Sequence, residues 1–390
     1  MCLNLMSRKV ENAGVYVHIP FCVQKCFYCD FLSFASTAII QGSDVSLQKE
    51  IYVDALIKEI AMAQHGNKIP YNIDSVYIGG GTPTVLPPFL LCKIIEAIKD
   101  FYLIADCEIT VEANPGTLTR EYLIMLKKAG VNRLSIGLQT IHEKHLKAIG
   151  RVHSYDDFVE NFKTAREVGF DNINVDLMFA LPNQTLFEWQ ETINKVINLS
   201  PEHISAYSLT PAESTSLWEG IENGSLKLPN DELDRMMYHF ACKRLKEAGF
   251  LHYEISNFAK SNKKSRHNVN CWRLVPYYGF GLGAHSFDGK SRSFNHEKMS
   301  EYLKLSFEKQ GVIHLSNEDL MAEAMILGLR LNEGISEKEL SEKFHVNPFE
   351  IYKNQIQKLI KSNLILKENG VIKLTPLGYD LANQVFESFL

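Results

Sequence analysis

Six times in succession, a short run of β-branched and aromatic residues gives way to a longer stretch with apolar residues at helical spacing. The short runs are GVYVHI (14–19), SVYIGG (75–80), EITVEA (108–113), NRLSIGL (132–138), INVDLMFAL (173–181) and HISAYSL (203–209). The stretches that follow include EIYVDALIKEIAMA (50–63), LLCKIIEAIKDF (90–101), EYLIMLKKAG (121–130), a segment reaching about Gly169, FEWQETINKVINL (187–199) and DELDRMMYHFACKRLKEAG (231–249). Repeated strand-then-helix units give an α/β fold with a parallel sheet and right-handed crossovers. Six of them suit a closed or partly open (β/α) barrel.

The pattern changes after about residue 300. Three helical stretches (roughly 318–331, 336–344 and 348–362), two short runs around a turn in NLILKENGVIKLT (363–375) and a last helix outline a winged-helix unit. The expected organisation is a barrel over residues 1–290 and a C-terminal helical, winged-helix-like domain over residues 300–390. Winged helices often bind DNA, but residues 301–390 carry 10 Lys and Arg against 13 Asp and Glu, and the whole chain has a formal net charge of -5. Phosphate neutralisation needs the opposite sign, so no nucleic-acid partner is expected.

The N-terminal MCLNLMSRKVEN lacks the apolar stretch of a signal peptide, and no segment has the roughly 18 uncharged apolar residues of a membrane span. A cytoplasmic location is therefore expected, where disulfides are rare and clustered cysteines read as metal-binding or catalytic. FCVQKCFYCDF (21–31) holds Cys22, Cys26 and Cys29, three of the chain's eight cysteines, while Cys2, Cys92, Cys107, Cys242 and Cys271 are scattered. Three thiolates can hold a [4Fe–4S] cluster at three of its four irons and leave the fourth open for a small ligand. A zinc site completed by His18 or Cys271 is the alternative that the spacing leaves open.

In a β/α barrel the chemistry gathers at the carboxyl ends of the strands. The first run leads into the cysteines, the second into GGGTPT (79–84), the third carries Glu112, the fourth leads to Gln139, and the fifth carries Asp176. The glycines let backbone approach a ligand closely. CxxxCxxC after the first strand resembles the radical S-adenosylmethionine (SAM) superfamily, which implies that SAM chelates the open iron and that one electron from the cluster cleaves its sulfonium to a 5′-deoxyadenosyl radical.

The resemblance extends over essentially the whole chain. YVHIPFC (16–22), GGGTPT, VEANPG (111–116), RLSIGLQT (133–140), IGRVH (149–153), NVDLMFALPNQT (174–185) and HISAYSLTP (203–211) follow the coproporphyrinogen-oxidase-like branch. Carried over by position, the resemblance implies SAM contacts at Tyr16, Gly80, Gly81, Thr82, Glu112, Gln139, Arg151 and Asp176. It implies cluster ligation by Cys22, Cys26 and Cys29.

Within that branch, the oxygen-independent coproporphyrinogen III oxidases have another Cys where Phe31 stands, and a longer N-terminal segment than the 21 residues preceding Cys22. Both departures point to the haem chaperones of the HemW type and away from porphyrinogen decarboxylation, with the oxidase as the second reading. HNVNCW (267–272) resembles the chaperones' HNxxYW motif with Cys271 in place of Tyr, which implies a haem contact at His267. As a loop after the sixth unit, it is expected near the barrel mouth. Haem, the proteins that accept it, a peripheral membrane contact through such an acceptor and a homodimer are the partners this resemblance implies.

Overall fold

The computed structural model describes residues 12–35, 45–66, 72–101 and 104–390; Cys2 lies outside them. All six expected strands form: β1 (Asn12–Ile19), β2 (Asn72–Gly80), β3 (Ile104–Ala113), β4 (Arg133–Gln139), β5 (Ile173–Phe179) and β6 (His203–Ser208), parallel and hydrogen-bonded in that order. Between and after them run α1 (Val45–Gly66), α2 (Pro88–Phe101), α3 (Arg120–Lys128), α4 (Glu143–Ala148), α5 (Tyr155–Val168), α6 (Leu186–Asn198), α7 (Ser216–Glu222) and α8 (Asp231–Glu247). The segment expected as one helix up to Gly169 is two, because Gly150 takes φ +76 and Ser154 opens a new helix with a capping box to Asp157.

The sheet does not stop at six strands. β7 (Leu251–Glu254) and β8 (Asn257–Ala259) add antiparallel beyond β6. A helix, α9 (Arg266–Trp272), comes next. Then β9 (Tyr277–Phe280) pairs parallel with β1, and β10 (His285–Phe287), β11 (Ser291–Phe294) and β12 (Gly311–His314) extend that side as antiparallel neighbours. The result is a 12-stranded sheet in the order β12-β11-β10-β9-β1-β2-β3-β4-β5-β6-β8-β7, a partly open barrel. The six added strands are three or four residues long, too short for a period of two to register in sequence. They carry the main sheet past residue 290, to His314.

Alternation along the six parallel strands sorts side chains by face. Val15, Val17 and Ile19, Val76 and Ile78, Ile109 and Val111, Leu134, Ile136 and Leu138, Val175 and Leu177, and Ile204 join the helices in one apolar core. The alternate residues are of another kind: Tyr16 and His18, Ser75 and Tyr77, Glu108, Thr110 and Glu112, Arg133 and Ser135, Asn174 and Asp176, His203 and Ser205. Barrel interiors are commonly filled by branched apolar side chains; this one is polar.

The C-terminal part follows its expected outline. Helices Asn317–Gly328, Glu337–Phe344, Pro348–Ile351 and Lys353–Lys361 precede a hairpin of Ile365–Glu368 and Val371–Leu374, to which Ile335–Ser336 adds a third strand. The hairpin turns at Asn369-Gly370, both at positive φ as a two-residue hairpin turn requires. Met325, Leu329, Phe349, Ile356, Leu359, Ile372 and Phe389 belong to a second core. Among the described residues, no helix is long and apolar enough to cross a membrane.

Candidate functional site: a polar cavity at the mouth of the barrel

A cavity of about 500 Å³ opens at the carboxyl ends of the strands. Cys22, Cys26, Cys29, Gly80, Gly81, Thr82, Glu112, Gln139, Arg151 and Asp176 all line it. Tyr16 does not. Its hydroxyl meets Nδ1 of His18 at 3.0 Å and its ring lies against Tyr77, so Tyr77 stands at the cavity where Tyr16 was expected.

The three glycines of GGGTPT are each needed at close quarters. A Cβ on Gly79 would lie 2.8 Å from the Glu112 carboxyl, one on Gly80 (φ +110) 2.5 Å from the His18 ring, and one on Gly81 2.6 Å from the Phe21 carbonyl and 3.0 Å from Sγ of Cys22. Behind them Glu112 accepts from Tyr77 Oη (2.7 Å) and from the Gly80 N–H (3.1 Å). Burial nevertheless pushes its carboxyl up to about 7.

The cysteine loop is fixed to the opposite wall. The Phe27 N–H donates to the Ile149 carbonyl, Gln24 Nε2 donates to the Gly150 carbonyl, and the Leu217 N–H donates to the Phe27 carbonyl. Gly150 at φ +76 leaves only 3.0 Å between a would-be Cβ and the Phe27 ring. That turn delivers Arg151, whose Nη1 donates to Asn114 Oδ1 (2.6 Å) and Nη2 to Tyr28 Oη (3.0 Å), while its buried Nε–H has no partner. Asn114 Nδ2 in turn donates to Thr82 Oγ1, and Thr82 donates to Cys22 Sγ at 3.8 Å. Asn114, Tyr28 and Tyr77 were missed as site residues, although Asn114 lies inside VEANPG.

None of the three cysteines is in a disulfide. Burial raises the Cys22 and Cys29 thiols. Among the described residues, no group of three or more His, Cys, Asp or Glu side chains is arranged around a single metal ion. Thiolates that each take a different iron have no need of such convergence. The two residues named to complete a zinc site are engaged elsewhere. His18 faces Tyr16 Oη with Nδ1 and the Leu32 carbonyl (2.8 Å) with Nε2, and Cys271 Sγ lies 3.9 Å from His267.

HNVNCW is where structure and expectation part. It forms α9, a helix and not a loop, and packs at the amino ends of the strands: the Arg266 N–H donates to Glu108, Asn270 donates to Asp74, and His267 lies beside Gly14. The motif therefore closes the barrel floor, opposite the mouth. His267 is 9% exposed and stacks on Tyr77 and Tyr16 with ring centroids 5.0 and 6.3 Å away. Its Nδ1 lacks a hydrogen-bond partner, and burial with the Arg133 charge nearby brings its pKa down to about 4.

Three thiols outside any disulfide, beside a polar, glycine-edged cavity at the mouth of a (β/α) barrel, are the features of a radical SAM protein. Residues 16–196 match the model of the Radical SAM superfamily, and residues 315–381 match the HemN C-terminal domain. A solved structure of coproporphyrinogen III oxidase (HemN) from Escherichia coli has the same fold, with a TM-score of 0.83 and 21% identity over 98% of this chain and 91% of that one. The heme chaperone HemW of Bacillus subtilis is 38% identical over 97% of this chain and 99% of its own length. That of Lactococcus lactis is 34% identical over 99% and 98%. The chain belongs to the HemW family of the radical SAM superfamily. Membership in the superfamily implies a [4Fe–4S] cluster and SAM.

The raised Glu112 value has a stability consequence. A carboxyl whose folded value exceeds its unfolded one favours the fold when protonated, so that stability is present below about 4.5 and is lost as pH rises through about 7. Glu112→Gln should therefore gain on wild type between pH 5 and pH 8 in the cofactor-free protein, by on the order of 2 kcal/mol after allowing for solvent at the cavity wall. Denaturant melts at the two pH values measure it, and a pH-independent difference contradicts the assignment.

Proposed function

We propose that this protein is a haem chaperone: it binds haem and passes it to acceptor proteins, and it carries a [4Fe–4S] cluster on Cys22, Cys26 and Cys29 with SAM in the mouth cavity. The observation that carries the cluster and SAM assignment is the meeting of three thiols outside any disulfide, an Arg151 Nε–H without a partner and a half-buried Glu112 on one cavity. The donor set fits. Three soft sulfurs suit an iron–sulfur cluster with one open iron, Glu112 suits the SAM ammonium, Arg151 its carboxylate, and Asp176 its ribose hydroxyls. A bound cluster would supply one-electron chemistry, and the part of Glu112, Arg151 and Asp176 would be to hold SAM against it from the cavity wall.

Haem handling is supported by the names of the relatives and by Phe31, which stands 65% exposed at the cavity where the oxidases have a cysteine. Coproporphyrinogen III oxidase is the competing activity. His267 stays the proposed haem ligand, its neutral imidazole having a free Nδ1, but from the floor it reaches haem only if α9 moves.

Cys29→Ser, like Ser at Cys22 or Cys26, should abolish iron and sulfide incorporation on anaerobic reconstitution, whereas Cys92→Ser and Cys242→Ser retain it. Full iron content in the Cys29 variant refutes the ligand set.

With the cluster loaded, Asp176→Ala should weaken SAM binding by more than about tenfold, since losing one partner of a buried charged contact costs about 2–5 kcal/mol. Unchanged affinity by calorimetry removes Asp176 from the site.

Anaerobic incubation with coproporphyrinogen III and SAM should release no carbon dioxide or protoporphyrinogen, and haem should bind without SAM turnover. His267→Ala should weaken haem binding or shift its absorption bands. Identical titrations for both proteins leave His267 without a role, and porphyrinogen turnover establishes the oxidase instead.

A further inference from the structure

Beneath the cavity, Asp176 is the end of a buried hydrogen-bonded chain that crosses the barrel. Ser135 Oγ donates to its Oδ2 (2.9 Å) and Asn174 Nδ2 to its Oδ1 (2.8 Å). Asn174 Nδ2 also donates to Ser135 Oγ (2.8 Å), and Asn174 Oδ1 faces Nδ1 of His203 (2.6 Å) and accepts from Ser205 Oγ (3.2 Å). Nε2 of His203 faces Tyr253 Oη (2.8 Å), and Tyr253 Oη accepts from the Ser265 N–H (3.3 Å). Ser265 is the N-cap of α9. Ser135, Asn174, His203, Ser205, Tyr253 and Ser265 are all 3% exposed or less.

The direction of every proton in this chain follows from its carboxylate end. Asn174 must turn its NH2 to Asp176, because the opposite flip sets a carbonyl against a carboxylate and an NH2 against His203. Its Oδ1 then only accepts, so Nδ1 of His203 carries a proton. Burial and the neighbouring Arg133 charge hold the His203 ring neutral, which leaves Nε2 bare to accept from Tyr253. Tyr253, having given its proton, accepts from Ser265. All donors point toward Asp176.

We propose that His203 is a positioning residue for Asp176: as the Nδ1–H tautomer it locks the Asn174 amide, which with Ser135 fixes the carboxylate for its ligand at the mouth. The functional half of this inference rests on the proposed contact of Asp176 with SAM; the tautomer does not. The sequence motif HISAYS contributes the His, and NVDLMF contributes both Asn174 and Asp176 two residues apart on one face of β5.

The test uses the full chain labelled with 15N-histidine. Long-range proton–nitrogen correlation between pH 6 and 8 should show one ring, absent from His203→Asn, that stays neutral and protonated at Nδ1. Tyr253→Phe should keep that tautomer, because it is dictated from the Asn174 side. An Nε2–H or charged ring in wild type, or a switch of tautomer in Tyr253→Phe, overturns the relay. In cluster-loaded protein, His203→Leu should weaken SAM binding about tenfold. His203→Asn, whose amide can donate from the Nδ1 position, should stay within about threefold, since it restores the donor to Asn174 Oδ1 that His203→Leu removes. Wild-type affinity in His203→Leu while Asp176→Ala loses affinity overturns the positioning role. Wild-type affinity in both variants instead removes SAM from Asp176 and the positioning role with it, and the tautomer still reports on the chain itself.

Discussion

A polar barrel interior must satisfy most of the groups it buries, and this requirement organises the molecule; the Arg151 Nε–H and the His267 Nδ1 are exceptions. An unpaired buried polar group costs on the order of 1–3 kcal/mol, and a charge more. Six parallel strands present Tyr, Ser, Thr, Asn, Asp, Glu, His and Arg inward, so the strands must hold a register in which these groups meet. Register supplies the pairs directly: Tyr77 opposite Thr110, Thr110 opposite Arg133, Glu112 opposite Ser135, Ser135 opposite Asn174, Asn174 opposite His203. A slip of one residue would turn this set onto the helices and the Val and Ile set into the barrel. The apolar core and the polar lining therefore specify the same register from the two faces of one sheet.

Close approach of backbone is the second condition, and it explains why glycines border the site. At Gly79, Gly80 and Gly81, a side chain would strike Glu112, His18 and the Phe21 carbonyl in turn. Across the cavity, Gly137 leaves room for Asn114 and Arg151, whose atoms lie 2.9 and 3.2 Å from a would-be Cβ. Gly150 does the same for Phe27 of the cysteine loop. The loop is thereby tied to the element that supplies Arg151, and thiols and guanidinium are positioned together.

The repeating unit was legible because each of the six parallel strands is at least six residues long and each is followed by a helix of nine residues or more, apart from the break at Gly150 after the fourth and the seven-residue α7 that precedes α8 after the sixth. Nearly all the mouth residues were legible too, since a barrel puts strand ends on one rim. Tyr16 failed by one strand: its place in YVHIPFC says which face it takes, but only packing shows Tyr77 standing between it and the cavity. HNVNCW failed for a different reason. Its seven-residue helix follows two very short strands, and nothing local in the sequence tells which end of the barrel a connection of that kind will cover.

Placing that motif at the floor separates two chemistries that the sequence order had brought together. Glu112 and Asp176 of the mouth nevertheless reach α9 through the interior: Glu112 through Tyr77, whose ring stacks on His267, and Asp176 through the chain ending at the Ser265 N–H. These contacts fall on the N-cap and the second residue of one short helix. Moving α9 out of the floor would break the Ser265–Tyr253 hydrogen bond and unstack His267 from Tyr77, while the Asn174 amide on Asp176 and the Tyr77 hydroxyl on Glu112 keep their own hydrogen bonds, so the floor and the mouth are joined by contact but held by separate partners.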